Sequence, residues 1–212
     1  MTVVLVDTSD AMPPIGREEL TTQLVDLAEG LPKLSLLELR VMDPGIASGA
    51  VKFHACNPGD GADIDPLTGN PELAKKRWRE FQDKLKAVLT QGLSDIPSEQ
   101  SPIMKTIQAI AVEDFTTSRV ENIAKTLVVV SDMLENGPDY SQYRGDLSFA
   151  RFKKSAAYRD FRTDLHGTSV FIKYVQRQRP PIDSVAHIAF WKQWIEDNNG
   201  QFVSAEKLQG VN

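Results

Sequence analysis

The 212-residue chain is 41% hydrophobic and 25% charged, with a formal net charge of -5, values near the average for soluble globular proteins that exclude wholesale disorder. The negative balance argues against a dedicated nucleic-acid binder. The single cysteine, Cys56, excludes an internal disulfide and makes no demand for an oxidising compartment.

The sequence shows no signal peptide and no apolar run near bilayer length, so a soluble, cytoplasmic protein is expected. Because the first strand begins at residue 2, a longer native chain with an export or anchoring segment upstream would change the address and leave the fold intact.

Residues 2–6, "TVVLV", are a continuous apolar run ending in Asp, the pattern of a strand buried on both faces. Residues 17–30 place Leu20, Leu24, Leu27 and Ala28 at helical spacing and stop at Gly30, a helix C-cap residue. "KLSLLELRVMD" predicts a second strand and "AVKFHACN" a shorter third. Residues 57–71 hold three Pro, three Gly and three Asp, too many breakers for a regular element. A long amphipathic helix is predicted from Glu72 to about Gln91, with Leu73, Trp78, Phe81, Leu85, Val88 and Leu89 along its core-facing stripe.

"SPIMKTIQAIAVEDF" opens as N-cap and N1 of a further helix. "AKTLVVVSD" is the next buried strand and, like the first, ends in Asp. A second long connection at 133–147 leads to a basic, aromatic helix over about 148–163. Then come the strand "TSVFIKYVQ", a helix "DSVAHIAFWKQWIEDNNG" stopping at Gly200, and a short last strand "QFVSA". Strands separated by helices predict an open, mostly parallel, Rossmann-like α/β sheet of about six strands, doubly wound, with helices on both faces and one antiparallel edge strand. No repeat, linker or low-complexity tract divides the chain, so residues 1–212 are expected to form one domain.

In such sheets ligands collect beyond the carboxyl ends of the strands, where neighbouring crossovers leave for opposite faces. Asp7, Ser9 and Asp10 follow the first strand, Asp132 follows "LVVV", and Ser101 precedes the helix that feeds that second strand. If the two strands are adjacent, all five converge. Taken singly, each has a plainer reading: Ser9 and Asp10 make a turn or cap the next helix, and Ser101 before Pro102 is an ordinary N-cap. Two strand-end Asp residues at close range repel unless something neutralises them. A divalent cation does so most simply; Lys105 is the alternative.

"DTSDA", the Ser of "SP" and the Asp of "VVVSD" together resemble the metal-ion-dependent adhesion site of von Willebrand factor A domains, which reads Asp-x-Ser-x-Ser, then Thr, then Asp on three loops. The order of elements over residues 2–204 is similar as well, including the β-β step that makes "AVKFHACN" the antiparallel edge strand. The resemblance implies a divalent cation, Mg²⁺ or in its place Mn²⁺ or Ca²⁺, held by Asp7, Ser9, Ser101 and Asp132. Mg²⁺ takes about six oxygen ligands at about 2.1 Å and often keeps several waters. In the family two carboxylates act mainly through water, which leaves the cation electrophilic and open to an acidic side chain of a protein partner. This chain departs from the pattern at Ala11, where the family has a second Ser, so weaker binding is expected; Asp10 adds a carboxylate nearby.

The resemblance implies a protein–protein interaction module rather than an enzyme, of the kind that outside animals serves intracellular assemblies. The expected partner-binding rim comprises Asp63 and Asp65 on the first long loop and Tyr140, Tyr143 and Arg144 on the second, residue types that include interface anchors. Two other readings stand beside it. One is a metal-dependent phosphoryl hydrolase with Asp7 as nucleophile, although Ser9 occupies the position where such enzymes need a second Asp. The other is a scaffold subunit of the same fold without an ion.

The remaining motifs point less far. "DGADID" fails EF-hand spacing at Leu67 and Thr68, and "RGD" at Arg144–Asp146 is a three-residue match. "RFKKSAAYRDFR" reads as a helix with a solvated basic face. His54, His166 and His187 lack zinc-ligand spacing, and Cys56 reads as a small buried hydrophobe.

Overall fold

The computed structural model describes residues 1–9, 12, 14–67, 69–93, 98–117, 122–144, 147–176 and 182–208. The order of elements is β1 (Thr2–Val6), α1 (Pro14–Gly30), β2 (Leu36–Asp43), β3 (Ile46–Cys56), α2 (Pro71–Ala87), α3 (Ile103–Ile110), β4 (Thr126–Ser131), α4 (Phe149–Phe152), α5 (Ala156–Asp160), β5 (Ser169–Val175), α6 (Ser184–Asp197) and β6 (Gln201–Leu208). Single π-helical turns, Val88–Gly92 and Ala111–Phe115, extend α2 and α3.

The six strands form one sheet in the order β3-β2-β1-β4-β5-β6. All pairs are parallel except β2 with β3, so the fold is an α/β, Rossmann-like mixed sheet with one antiparallel edge strand. Successive side chains of a strand face opposite sides, and β1 shows how two cores follow from one apolar run. Val3 and Leu5 join Leu127, Val129, Ile172, Ile107 and Trp191 on one face. Val4 and Val6 join Leu39, Val128, Val130, Leu24 and Phe81 on the other. The crossover after β1 leads to β2 and the segment feeding β4 arrives on the other side, so the winding reverses between β1 and β4. Asp7 and Asp132 follow these two strands.

Several local expectations are corrected. The predicted basic helix over 148–163 is two short helices, because Ser148 caps α4 through Arg151 N and Ser155 caps α5 through Tyr158 N. Gly30 does not take a positive φ; after α6 the left-handed residue is Asn199, at φ 58°, and Gly200 follows it. Leu73 is exposed, whereas Trp78 stacks on Phe81 as the stripe requires. Cys56 is exposed rather than buried. Among the described residues no helix is long and apolar enough to cross a membrane.

Candidate functional site

The backbone ladder continues one residue past β1, where Asp7 N–H donates to Val130 O at 2.9 Å, and this fixes the aspartate at the strand end. Its carboxylate gathers three other groups. Ser101 and Ser131 each donate a hydroxyl proton to Asp7 Oδ2 at 2.8 Å, and Ser9 N–H donates to Oδ1 at 3.0 Å. Asp7, Ser101 and Ser131 are all buried. A hydroxyl has one proton and two lone pairs; with the protons of Ser101 and Ser131 aimed at one carboxylate oxygen, acceptor capacity is left on both hydroxyls.

Of the four residues predicted to hold a cation, the structure joins Asp7 to Ser101 directly and to Ser9 through the backbone. It places Asp132 immediately after Ser131, buried, with Oδ1 accepting Leu134 N–H at 2.9 Å. The charge of Asp132 also reaches β5: burial first, and then this carboxylate, push the Tyr174 phenol up to about 12. Asp10 lies outside the described residues, as does Ala11.

Ser131 is a site residue that the sequence reading did not single out; the signal for it is its position in "VVVSD", level with Asp7 across a parallel pair. Its oxygen also accepts Met133 N–H at 2.8 Å. Met133 has a φ of 63°, strained for a residue with a side chain. Its carbonyl is held by the Trp191 indole N–H at 2.8 Å.

Ser101 also differs from the expected cap. The cap position of α3 belongs to Pro102, with no side-chain hydrogen bond. Ser101 instead forms a two-hydrogen-bond backbone bridge with Asn136, at 2.8 and 2.9 Å. Lys105 does not stand between the two aspartates; it pairs with Asp139 at 2.7 Å on the surface.

The expected rim is corrected in part. Because β3 runs antiparallel, with Cys56 opposite Leu36, the chain leaves it at the edge where the parallel strands begin. Asp63 therefore pairs with Lys33 at 2.9 Å near the end of α1, at the edge opposite Asp7, and Asp65 lies on the same loop. Tyr140 packs on Phe152 and Phe190 rather than forming an exposed anchor. Tyr143 is exposed. Of "RGD", Gly145, Asp146 and the side chain of Arg144 lie outside the described residues.

Behind the site lies a buried polar network. Glu135 Oε2 accepts Met104 N–H at 2.8 Å, and Glu135 N–H donates to Gln142 Oε1 at 3.0 Å. That amide oxygen also lies 3.0 Å from His187 Nε2, and His187 Nδ1 is 2.9 Å from the Tyr174 hydroxyl. Burial, reinforced by the charge of Asp7, pushes Glu135 up to about 8. Burial pushes His187 down to about 4.

These shifts contribute to the pH dependence of folding. The stabilisation from Glu135 is complete below its ordinary value of 4.5 and is lost as pH rises through about 8. That from His187 is complete above 6.5 and is lost as pH falls through about 4. Between about pH 6.5 and 8.5 only the Glu135 slope acts within this network, so Glu135→Gln is expected to remove a downward component from the dependence of melting temperature on pH across that window. Thermal melts at half-unit pH steps check this; an equal fall in the Gln variant would assign it to another group.

Among the described residues no group of three or more His, Cys, Asp or Glu side chains is arranged to hold a metal. A cation here would rely on serine hydroxyls together with the two aspartates. All are hard oxygen donors, which fit Mg²⁺, Mn²⁺ or Ca²⁺ rather than a thiophilic metal. Beside the site a groove of about 80 Å³ runs between Ser9, Met42, Pro44, Gln100 and Pro102.

No family model matches the chain, and no curated protein matches it. Solved structures to which it is similar include an aerotolerance-related membrane protein from Bacteroides fragilis, at 13% identity and a TM-score of 0.46, covering 99% of this chain and 91% of that one. Another is the conserved hypothetical protein BatB from Bacteroides thetaiotaomicron, at 12% identity and a TM-score of 0.48, covering 100% of this chain and 91% of that one.

Proposed function

We propose that the chain is a protein–protein interaction module similar to von Willebrand factor A domains, holding a divalent cation at Asp7, Ser9, Ser101 and Asp132, with Asp10 as a further carboxylate. One observation carries this reading: hydroxyls from two separate segments, Ser101 and Ser131, converge on a single oxygen of Asp7 at the point where the sheet reverses its winding. Hydroxyls oriented in this way are preorganised neutral ligands for Mg²⁺, Mn²⁺ or Ca²⁺. When bound, the cation supplies an electrophilic point that an acidic side chain of a partner completes. Asp7 orients the hydroxyls, the β1–β4 pair fixes the spacing between segments, and the exposed Tyr143 offers contact area on the same loop system. The phosphoryl-hydrolase alternative draws no support from this arrangement. Asp7 is engaged through both carboxylate oxygens, and Ser9 contributes its backbone N–H where an acid/base carboxylate is needed.

Calorimetric titration with Mg²⁺ tests the reading. Wild-type protein is expected to give heat and a rise in melting temperature at millimolar Mg²⁺, both removed by EDTA. Asp7→Asn, whose amide nitrogen cannot accept a hydroxyl proton, is expected to weaken binding by at least about tenfold. Asn is preferable to Ala because Ala would strand the Ser101 and Ser131 hydroxyls without their acceptor, at about 1–3 kcal/mol for each buried group left unsatisfied. No heat and no melting shift with either Mg²⁺ or Mn²⁺ would leave the metal-free scaffold reading in its place.

A further inference from the structure

Helix α3 lacks the ordinary means of satisfying its first N–H groups. Its cap position is Pro102, which has no side-chain acceptor, and the Ser101 hydroxyl just before it is turned away onto Asp7. Met104, at the second helical position, is fully buried, so water cannot serve its N–H. The acceptor comes instead from the loop after β4, where Glu135 Oε2 takes the Met104 N–H at 2.8 Å. Glu135 is itself fully buried. The next residue, Asn136, forms the two-hydrogen-bond bridge to Ser101. One short loop thus holds Ser101 by its backbone and caps the helix that follows it.

From this division of labour we infer that Glu135 is a positioning residue for the proposed cation site: by capping α3 from outside the helix, it leaves the lone pairs of the Ser101 hydroxyl free for the cation. This rests on the reading of the site given above. Without Glu135, the orphaned Met104 N–H competes for those lone pairs, because Ser101, three residues before it, carries the nearest hydroxyl on the N-terminal side, where the first N–H groups of a helix point. The role needs an acceptor oxygen and not a charge. Glu135 is pushed up to about 8 by burial, so at neutral pH the helix is capped by a protonated carboxyl, and a glutamine amide can replace it.

The test is Mg²⁺ calorimetry on three variants. Glu135→Ala is expected to weaken Mg²⁺ binding about tenfold, the scale of losing a group that orients a ligand, while Glu135→Gln stays within about threefold of wild type. Adding Pro102→Ser to Glu135→Ala places a capping hydroxyl at the helix's own cap position and is expected to restore most of the lost affinity. A merely packing role for Glu135 would not be rescued in this way. Unchanged affinity in a folded Glu135→Ala protein, or no recovery on adding Pro102→Ser, would overturn the inference. If the alanine variant does not fold, regained folding and Mg²⁺ affinity in the paired variant carries the test in its place. If wild type gives no Mg²⁺ heat, the site reading itself fails and a crystal structure of Glu135→Ala decides. Ser101 Oγ accepting from Met104 N supports the capping argument; Ser101 Oγ unmoved on Asp7, with Met104 N–H satisfied elsewhere, refutes it.

Discussion

Replacing Arg40 with Met is expected to destabilise the protein by about 3–5 kcal/mol, because it leaves the buried Glu38 carboxylate without its buried guanidinium partner. Arg40 and Glu38 are both nearly inaccessible, and the guanidinium Nε donates to Glu38 Oε1. Nη1 reaches Ser48 O at 3.2 Å and Glu113 at 3.1 Å, and Nη2 reaches Asp114 at 3.0 Å. His54 Nδ1 lies 2.6 Å from the other oxygen of Glu38, on a side chain that is more than half exposed. Burial, then the negative charge of Glu38, already pushes Asp114 up to about 6, with Arg40 opposing. Without Arg40 the buried Glu38 and the partly buried Asp114 must take up protons or separate, while the half-exposed Glu113 turns to water. For a chain of this size that loss corresponds to a melting temperature lower by roughly 6–20 °C. A fall below about 3 °C, less than one to two kcal/mol on the same scale, would show that the cluster rearranges cheaply. The consequence reaches the site, because Arg40 ties β2 to the π-helical turn Ala111–Phe115 that extends α3, and α3 begins beside Ser101.

Trp191→Ala is expected to cost a similar amount, about 3–5 kcal/mol, the usual range for deleting a buried large aromatic. Trp191 is fully buried and meets Phe190 and Trp194 edge-on at ring separations of 6.0 and 5.5 Å. Its indole N–H has a second task. It donates to Met133 O and lies 3.0 Å from His187 Nε2, so it helps to hold the left-handed Met133 between Ser131 and Glu135. Trp191→Phe keeps most of the ring and removes that donor. It is expected to regain more than half of the lost melting temperature yet to bind Mg²⁺ more weakly than wild type. Full recovery of both properties in the Phe variant would mean that the indole contributes by volume alone.

The central strands and the candidate site were legible for one reason: apolar runs that end in Asp mark where buried parallel strands emerge, and both "TVVLVD" and "LVVVSD" carry that mark. Ser101 is legible through the resemblance to von Willebrand factor A domains, although "SP" taken alone reads as an ordinary helix cap. What the sequence leaves open at "SP" is which acceptor the helix uses, and the answer, Glu135, stands 31 positions from Met104. The network of Glu135, Gln142, His187 and Trp191 was not legible, because none of its members is adjacent in sequence and each alone reads as an ordinary core or loop residue. Asp63 and Asp65 are a different case. Reading β3 as antiparallel already sends the chain back to the far edge of the sheet, so the loop after it opens away from Asp7. The break between α4 and α5, absent from the single helix expected over 148–163, has its signal in the serines at 148 and 155 that each cap a helical turn.

The most direct measurement is a crystal structure of the protein grown with Mn²⁺, whose anomalous signal locates the ion without reference to the surrounding model. One peak is expected at about 2.2 Å from the Ser101 hydroxyl and from the Ser9 hydroxyl, with Asp7 and Asp132 in direct or water-bridged contact. An empty site at saturating Mn²⁺, or a peak coordinated only by surface carboxylates elsewhere, would contradict it.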